Sequence, residues 1–205
     1  MASSKNGVIR MFNGRMVDVF NLQPEDVVPI NFIHSLCLIN RFTGASPWPI
    51  SVMQHSLKIE QYIKEECTPG YNYDHVEDLP LSDWYQFRRA GFIHDWSEAL
   101  FNDLASPVKK EFPGYRQHEH RALKMIFDTI GVSYEYLERV NPIDKQIYRD
   151  EVKSTWGIQN DSYDTDRRGL GVKYTEQPWR DVRLEGIKLY KELFPDGPYI
   201  GAVVL

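Results

Sequence analysis

Residues 92–100 hold a group of side chains that could bind a metal ion. His94 and Asp95 are adjacent, and Glu98 follows the histidine by four residues and the aspartate by three. Imidazole nitrogen and carboxylate oxygen are both ligands for divalent metals, and the third acid could hold or deprotonate a bound water molecule. A His-Asp pair is common, however, and taken alone it more often marks a packed histidine beside a solvated aspartate.

A single helix would bring these three polar side chains together. Ser82 is a suitable N-cap, and Trp84, Phe87 and Ala90 recur at helical spacing after it. If the helix continues to Leu100, the histidine and both acids share one side, because neighbours three and four apart lie on the same face.

Two further predicted helices carry possible ligands. Ser51 opens a capping box that starts one helix, and His55 falls on its buried side. Residues 142–156 form another helix, with Asn141 as its predicted cap. Asp144 lies beside the apolar stripe of that helix, where burial is costly unless the carboxylate has a partner. A histidine on an apolar face is more often a core residue than a ligand, so these positions alone do not establish a site.

The remaining pattern predicts an all-α fold with a small N-terminal β-hairpin. Alternating residues flank Asn13-Gly14, which is typical of a hairpin turn. Helices are also predicted from Pro29, over 115–130 before Gly131, and over 179–194. The polar or Gly/Pro-rich segments 42–49, 65–81 and 159–177 are predicted loops. In the first of these, the Phe42 and Trp48 rings could stack on a nucleobase or fill the core.

Length and composition indicate one domain, 1–205, with a core over about 8–158 and a C-terminal extension containing one helix. The net charge of −5 shows no basic surplus, which argues against binding to a nucleic acid duplex. Only two cysteines, Cys37 and Cys67, are present, and neither a signal peptide nor a membrane-spanning run is recognisable. We therefore expect a cytoplasmic protein that does not associate with membranes.

The histidines and aspartates noted above are spaced at roughly forty to fifty residues, on separate helices. Two imidazoles and two carboxylates would form a mixed nitrogen and oxygen site with open positions. Such a set suits Mn, Co, Fe, Ni or Zn, whereas a structural zinc site would use thiolates.

The order His, His-Asp, Asp resembles the HD-domain metal phosphohydrolases, most closely the group of 5'-deoxynucleotidases and phage dATP triphosphohydrolases. The resemblance covers about residues 8–158 and departs from some relatives at Phe42, Trp96 and Ser97, which bear on base preference. The matching motifs are Ile39-Asn40-Arg41-Phe42, Ser51-Val52-Met53-Gln54-His55-Ser56, His94-Asp95-Trp96-Ser97-Glu98-Ala99, Asp103-Leu104-Ala105-Ser106-Pro107-Val108-Lys109 and Ile143-Asp144.

The resemblance implies an HD-domain helical bundle and a role for each matched residue. A divalent metal (Mn, Co, Zn, Ni, Fe or Mg) would be held by His55, His94, Asp95 and Asp144. Glu98 would activate or orient the attacking water. The implied substrate contacts are Arg41 and Lys109 at the phosphate and Asp103 at the nucleotide. We further expect His34 to line the phosphate pocket and Phe42 and Trp48 to hold the base.

The implied reaction is hydrolysis of a deoxynucleotide at the α-phosphate. We favour a dNTP, with adenine preferred, giving deoxynucleoside and triphosphate. The alternatives are a 5'-deoxynucleotidase acting on dNMPs and a non-catalytic nucleotide sensor. Hydrolysis of cyclic dinucleotides or ppGpp uses the same metal motif but fits the Pro107-Val108-Lys109 segment and the small size poorly. The resemblance also implies a homo-oligomer.

Overall fold

A computed structural model describes residues 7–67, 80–157 and 168–201 of the chain. It confirms a predominantly helical fold with a two-stranded N-terminal hairpin. Within the described ranges, every helix is too short or too polar to cross a lipid bilayer. The elements are β1 Val8–Arg10, β2 Met16–Asp18, α1 Pro29–Leu38, α2 Val52–Glu66, α3 Leu81–Ile93, α4 Glu98–Phe101, α5 Ser106–Lys109, α6 Pro113–Ile130, α7 Tyr136–Trp156 and α8 Trp179–Leu193.

The hairpin forms around Asn13-Gly14 as predicted. Strands β1 and β2 are antiparallel, and Gly14 adopts a positive φ of 83° that suits a residue without a side chain. The backbone N–H of Asn13 donates to the side-chain oxygen of Asn31 at 3.0 Å. Because Asn31 is fully buried in α1, this bond fixes the hairpin to the helical body.

Helix α2 starts at its predicted cap, but the capping box is only half formed. The Ser51 hydroxyl accepts from the Gln54 backbone N–H at 3.1 Å. The Gln54 side chain does not return to the cap and instead donates to the carbonyl of Thr175 at 2.8 Å. Helix α2 also continues to Glu66, beyond the predicted start of the loop. Most of that predicted loop, 68–79, lies outside the described residues, as do residues 159–167 of the predicted loop 159–177.

The central helix is not continuous to Leu100, so that prediction is wrong. Helix α3 ends at Ile93, and α4 begins at Glu98. Between them the N–H of Trp96 bonds to Ile93 and the N–H of Glu98 bonds to Asp95, which are i→i−3 bonds that tighten the chain. The N-cap prediction is also wrong: Pro80, not Ser82, precedes the first turn and accepts its N–H groups.

Helix α7 begins earlier than predicted. Its first residue is Tyr136, so Asn141 is not its cap and Pro142 lies inside the helix. The helix crosses Pro142 with one backbone hydrogen bond fewer, and the earlier turn buries Val140 completely. The predicted end is confirmed, since Gly157 adopts a left-handed conformation there.

The core continues beyond residue 158 into α8. Gly186 of α8 faces Ile33 of α1 and Met53 of α2, and an added Cβ would lie 3.1 Å from Ile33 and 3.2 Å from Met53. The chain after α8 also packs on the body, because the N–H of Ile30 donates to the carbonyl of Ile200 at 2.9 Å. The C-terminal helix is therefore part of the same core as α1 and α2.

Candidate metal centre

Three helical segments bring the predicted ligands to one point. His55 comes from α2, His94 and Asp95 from the tight turn after α3, and Asp144 from α7. Ligand atoms of His55, His94 and Asp144 all lie within 4.8 Å of one another. Asp95 Oδ2 lies 3.1 Å from Nε2 of His94 and 3.7 Å from Nε2 of His55. The structure thus brings together all four residues for which the sequence predicted metal ligation.

Both histidine rings are oriented by bonds at Nδ1. Nδ1 of His55 is 2.9 Å from a carboxylate oxygen of Glu151, and Nδ1 of His94 is 2.9 Å from the carbonyl oxygen of Gly91. Because both partners accept hydrogen bonds, each Nδ1 carries the proton. In the neutral ring this leaves the Nε2 lone pair free for a metal, a common arrangement in metal sites.

The surroundings of the two Nε2 atoms fit a cation. Both atoms are buried, and neither has a partner in hydrogen-bond geometry among the described residues. Nevertheless, Nε2 of His55 is only 3.0 Å from Asp144 Oδ1, and Nε2 of His94 is 3.1 Å from Asp95 Oδ2. A lone pair facing a carboxylate oxygen is unfavourable unless positive charge lies between them. Two nitrogens and two carboxylates without thiolate match a divalent ion with open coordination positions.

The electrostatics of the ligand cluster also favour positive charge. Burial and Arg41 lower the pKa of His55, but Glu151 and Asp144 raise it by more, to about 9. Burial raises the pKa of Asp95, yet His94, His55 and Arg41 bring it well below its ordinary value. The metal-free cluster therefore attracts a proton, and a divalent ion would supply the same compensation more effectively.

Glu151 is a site residue that the sequence analysis missed. Its fully buried carboxylate contacts His55 and also accepts from Nε of Arg41, at 3.0 and 3.1 Å to its two oxygens. Arg41 additionally lies 3.7 Å from Asp95. Glu151 follows Asp144 by seven residues on α7, so helical spacing from a predicted ligand was the signal that could have found it.

Glu98 lies beside the ligands and contacts Lys109. Lys109 Nζ is 3.2 Å from Glu98 Oε1 and 2.8 Å from a carboxylate oxygen of Glu119, a second residue absent from the sequence prediction. Oε2 of Glu98 is buried, and no residue in the described part of the chain forms a hydrogen bond with it. Burial raises the pKa of Glu98 well above its ordinary value, and Asp95 and Asp103 raise it further against the opposing charge of Lys109. This carboxyl is therefore suited to exchanging a proton near the ligands.

An open cleft of about 330 Å³ adjoins the ligand cluster. Asp103 does not line the cleft, but it lies close enough to Arg41, Asp95 and Lys109 to interact electrostatically with them. Burial raises the pKa of Asp103, whereas the charge of Arg41 lowers it. The cleft is lined by His94, Asp95, Ser97, Glu98, Lys109, Arg116, Glu119, His120, Leu123, Tyr134, Leu137, Asn141 and Asp144. A small anionic molecule in the cleft would thus contact both the predicted metal ligands and the cationic side chains Lys109 and Arg116.

His34 makes its ring contacts away from the ligand cluster. Its ring stacks on Phe12, with centroids 3.9 Å apart, and meets Trp179 edge-on at 5.8 Å. Burial and the charge of Arg183 lower its pKa. His34 does not line the cleft, and its predicted role at the phosphate stays a prediction.

The two aromatic residues of the predicted base-binding loop also lie outside the cleft lining. Phe42 directly follows Arg41 and packs against Trp156 at 5.0 Å and Tyr148 at 5.7 Å. Trp48 is half-buried against the core. Phe42 is thus close to the predicted phosphate contact, while base binding by either ring stays a prediction.

Comparison with known proteins finds two distant relatives without an assigned function. An uncharacterised protein of Rhodobacter capsulatus is 28% identical over 126 residues, 60% of this chain and 58% of that protein. The uncharacterised protein YfdR of Escherichia coli K12 is 24% identical over 124 residues, with the same coverage. The chain therefore spans somewhat over half the length of these relatives. No protein-family model matches the chain.

Proposed function

We propose that this protein is a metal-dependent phosphohydrolase of the HD-domain type. Its substrate is a deoxynucleotide that is hydrolysed at the α-phosphate, with dATP favoured among the dNTPs. The observation that carries the proposal is the pair of buried Nε2 atoms of His55 and His94, each facing an aspartate oxygen without a hydrogen bond. The choice of a deoxynucleotide rests on the resemblance of the sequence motifs.

Four residues would hold the metal: His55, His94, Asp95 and Asp144. When bound, a divalent ion supplies Lewis acidity that activates water and a phosphoryl oxygen. The surrounding side chains would then bind the phosphate and move the proton.

Three side chains beside the ligands suit the remaining steps. The free Oε2 of Glu98 accepts a proton from the attacking water, because its raised pKa makes it a stronger base than an exposed carboxylate. The water oxygen bonds to the α-phosphorus, the bond from phosphorus to the nucleoside 5'-oxygen breaks, and the proton taken up by Glu98 is returned to that oxygen to give the free 5'-hydroxyl. Arg41 and Lys109 neutralise charge on the phosphate oxygens, Arg41 with a planar fork and Lys109 as a point charge.

The proposal is tested by product analysis of the metal-loaded protein with a panel of dNMPs and dNTPs. Triphosphate released from one dNTP would establish a dNTP triphosphohydrolase and identify the base. Orthophosphate from monophosphates alone would establish the 5'-deoxynucleotidase alternative. His94→Ala and Glu98→Ala should abolish either activity, and activity that survives both substitutions would show a contaminating enzyme.

A non-catalytic nucleotide sensor is the rival from another class. It predicts nucleotide binding without turnover under any metal. The presence of Glu98 and Arg41 supports turnover over this alternative, because a binding module would need no buried acid with a free oxygen beside the ligands. Binding without turnover in the panel experiment would overturn the proposed activity. The homo-oligomer and the cytoplasmic location are likewise proposals, testable by light scattering and by fractionation.

A further inference from the structure

One wall of the cleft beside the metal centre is formed by a single face of α6. Arg116, Glu119, His120 and Leu123 all line it, at the three-and-four spacing that places side chains on one side of a helix. None of these residues belongs to the metal centre or to a motif that the sequence analysis identified. The proposed reaction therefore assigns no role to the side chains of this wall.

The cations near the cleft differ in how far they are already paired. Arg41 is held by Glu151 and Asp95, and Lys109 is held by Glu98 and Glu119. Arg116 is exposed and makes no ion pair with any residue in the described part of the chain. Its guanidinium thus has donors free for an anion that enters the cleft.

The groups near Arg116 also suit a polar ligand. Nδ1 of His120 shares a hydrogen bond with the Tyr134 hydroxyl at 3.0 Å, which orients the ring and leaves Nε2 free for another partner. Asn141 adds an amide, and among the described residues of the lining Leu123 and Leu137 are the aliphatic ones. A lining of this kind provides hydrogen-bond partners for phosphate oxygens but little apolar surface for a base.

We infer that Arg116 and His120 form a subsite for the distal phosphates of a polyphosphate substrate whose α-phosphate lies at the metal centre. The inference rests on the proposed function and deepens it, because such a subsite selects a triphosphate over a monophosphate. Arg116 supplies a bidentate fork for non-bridging oxygens. The negative charges of Glu119 and of the metal-binding aspartates would repel an anion. Lys109 offsets the charge of Glu119, and a bound metal would offset that of the aspartates. Binding of the polyphosphate therefore requires metal.

The test uses inorganic triphosphate and orthophosphate as probes with the Mn²⁺-loaded protein. Calorimetric titrations at one free Mn²⁺ concentration compare the wild type with Arg116→Ala. We expect Arg116→Ala to weaken triphosphate binding roughly tenfold, the effect of losing a charged hydrogen-bonding partner. Orthophosphate binding should stay within about twofold, because the metal centre holds a single phosphate without Arg116. Arg121→Ala removes an exposed arginine from another face of α6 and should change neither.

The outcomes separate this inference from the proposed function. Equal effects of Arg116→Ala on both probes, or no triphosphate binding by the wild type, would overturn the subsite. A parallel titration with deoxyadenosine extends the test: a larger effect of Arg116→Ala on deoxyadenosine than on triphosphate would show that this wall holds the nucleoside, and would also overturn the subsite. If triphosphate binding depends on Arg116 but no nucleotide is hydrolysed, the subsite stands and the proposed reaction fails. If dNTPs are hydrolysed with a KM that Arg116→Ala leaves unchanged, the reaction stands and the subsite fails.

Discussion

Glu151 lies 2.9 Å from Nδ1 of His55 and is fully buried. The same carboxylate binds Nε of Arg41, so one acid positions both a predicted metal ligand and a predicted phosphate contact. Removing one of its oxygens would disturb both at once, although Arg41 would keep its contact with Asp95 at 3.7 Å.

We predict that Glu151→Gln lowers Mn²⁺ affinity by about 10- to 100-fold, the range found when a residue that orients a metal-bound histidine is changed. The amide retains the shape but loses the charge that holds the His55 proton on Nδ1. Competition with a fluorescent chelator measures the affinity. Glu138→Gln, an exposed position on the same helix, is the matched control and should leave the affinity unchanged. Equal affinities for wild type and Glu151→Gln would refute the positioning role.

Metal binding should stabilise the fold. Without an ion, the partly buried carboxylates of Asp95 and Asp144 face Nε2 atoms of His94 and His55 at 3.1 and 3.0 Å with their negative charge incompletely compensated. Mn²⁺ at about 100 times its Kd should add about 2.7 kcal/mol to the free energy of unfolding, seen as a rise in Tm that EDTA reverses. His94→Ala should lose most of this rise. His118→Ala, in which the lost ring contacts Phe20, should retain it, and a rise of the same size in His94→Ala would exclude this histidine as a ligand.

Trp48→Ala tests the predicted base contact. If the indole stacks on the base, its removal should raise KM for the preferred nucleotide roughly tenfold, because stacking on one aromatic side chain contributes about 1–3 kcal/mol. Steady-state kinetics over all four bases measure the effect, and kcat should change less than KM. An unchanged KM for every nucleotide would show that Trp48 serves only the core, consistent with its half-buried packing.

The chain reverses after Arg41 through two residues in a left-handed conformation. Phe42 and Thr43 have φ of 57° and 54°, although neither is glycine. This conformation costs about 1–2 kcal/mol for a residue with a Cβ. Thr43→Gly should therefore increase the free energy of unfolding by roughly 0.5–1 kcal/mol, measured by urea denaturation. Thr43→Ala retains the Cβ and should give no such gain, so stabilisation by both variants would contradict the strain argument.

The two buried cysteines should make the free energy of unfolding depend on pH in the alkaline range. Burial raises the pKa of Cys37 to about 12, against the opposing charge of Arg183, and raises the pKa of Cys67 to about 11. An unfolded thiol ionises near 9. At a pH above 9 and below the raised pKa, each thiol keeps its proton in the native state but has lost it in the unfolded state. The free energy of unfolding therefore falls as the pH rises through this range. Cys37→Ala should show a shallower fall than the wild type between pH 9 and 11 in denaturation series. An identical slope would show that the Cys37 thiol ionises equally in both states.

Local signals in the sequence determined most of the secondary structure. The Asn-Gly turn, the Ser51 cap and the glycines after Ile130 and Trp156 each act through hydrogen bonds within a few residues. Such signals fail where a longer-range contact decides the boundary. Helix α7 extends before Pro142 because that extension buries Val140, a gain no local pattern contains.

The same distinction applies to the candidate site. Motif order in the sequence predicted His55, His94, Asp95 and Asp144, and the tertiary structure brings them together. The sequence motifs could not show that Glu151 contacts both His55 and Arg41, because these partners lie 96 and 110 residues away along the chain. Residue types and spacing thus specify which groups can do chemistry. Packing of α2, α3 and α7 decides which of them meet, since burial and hydrogen-bond geometry exist only once the helices are assembled.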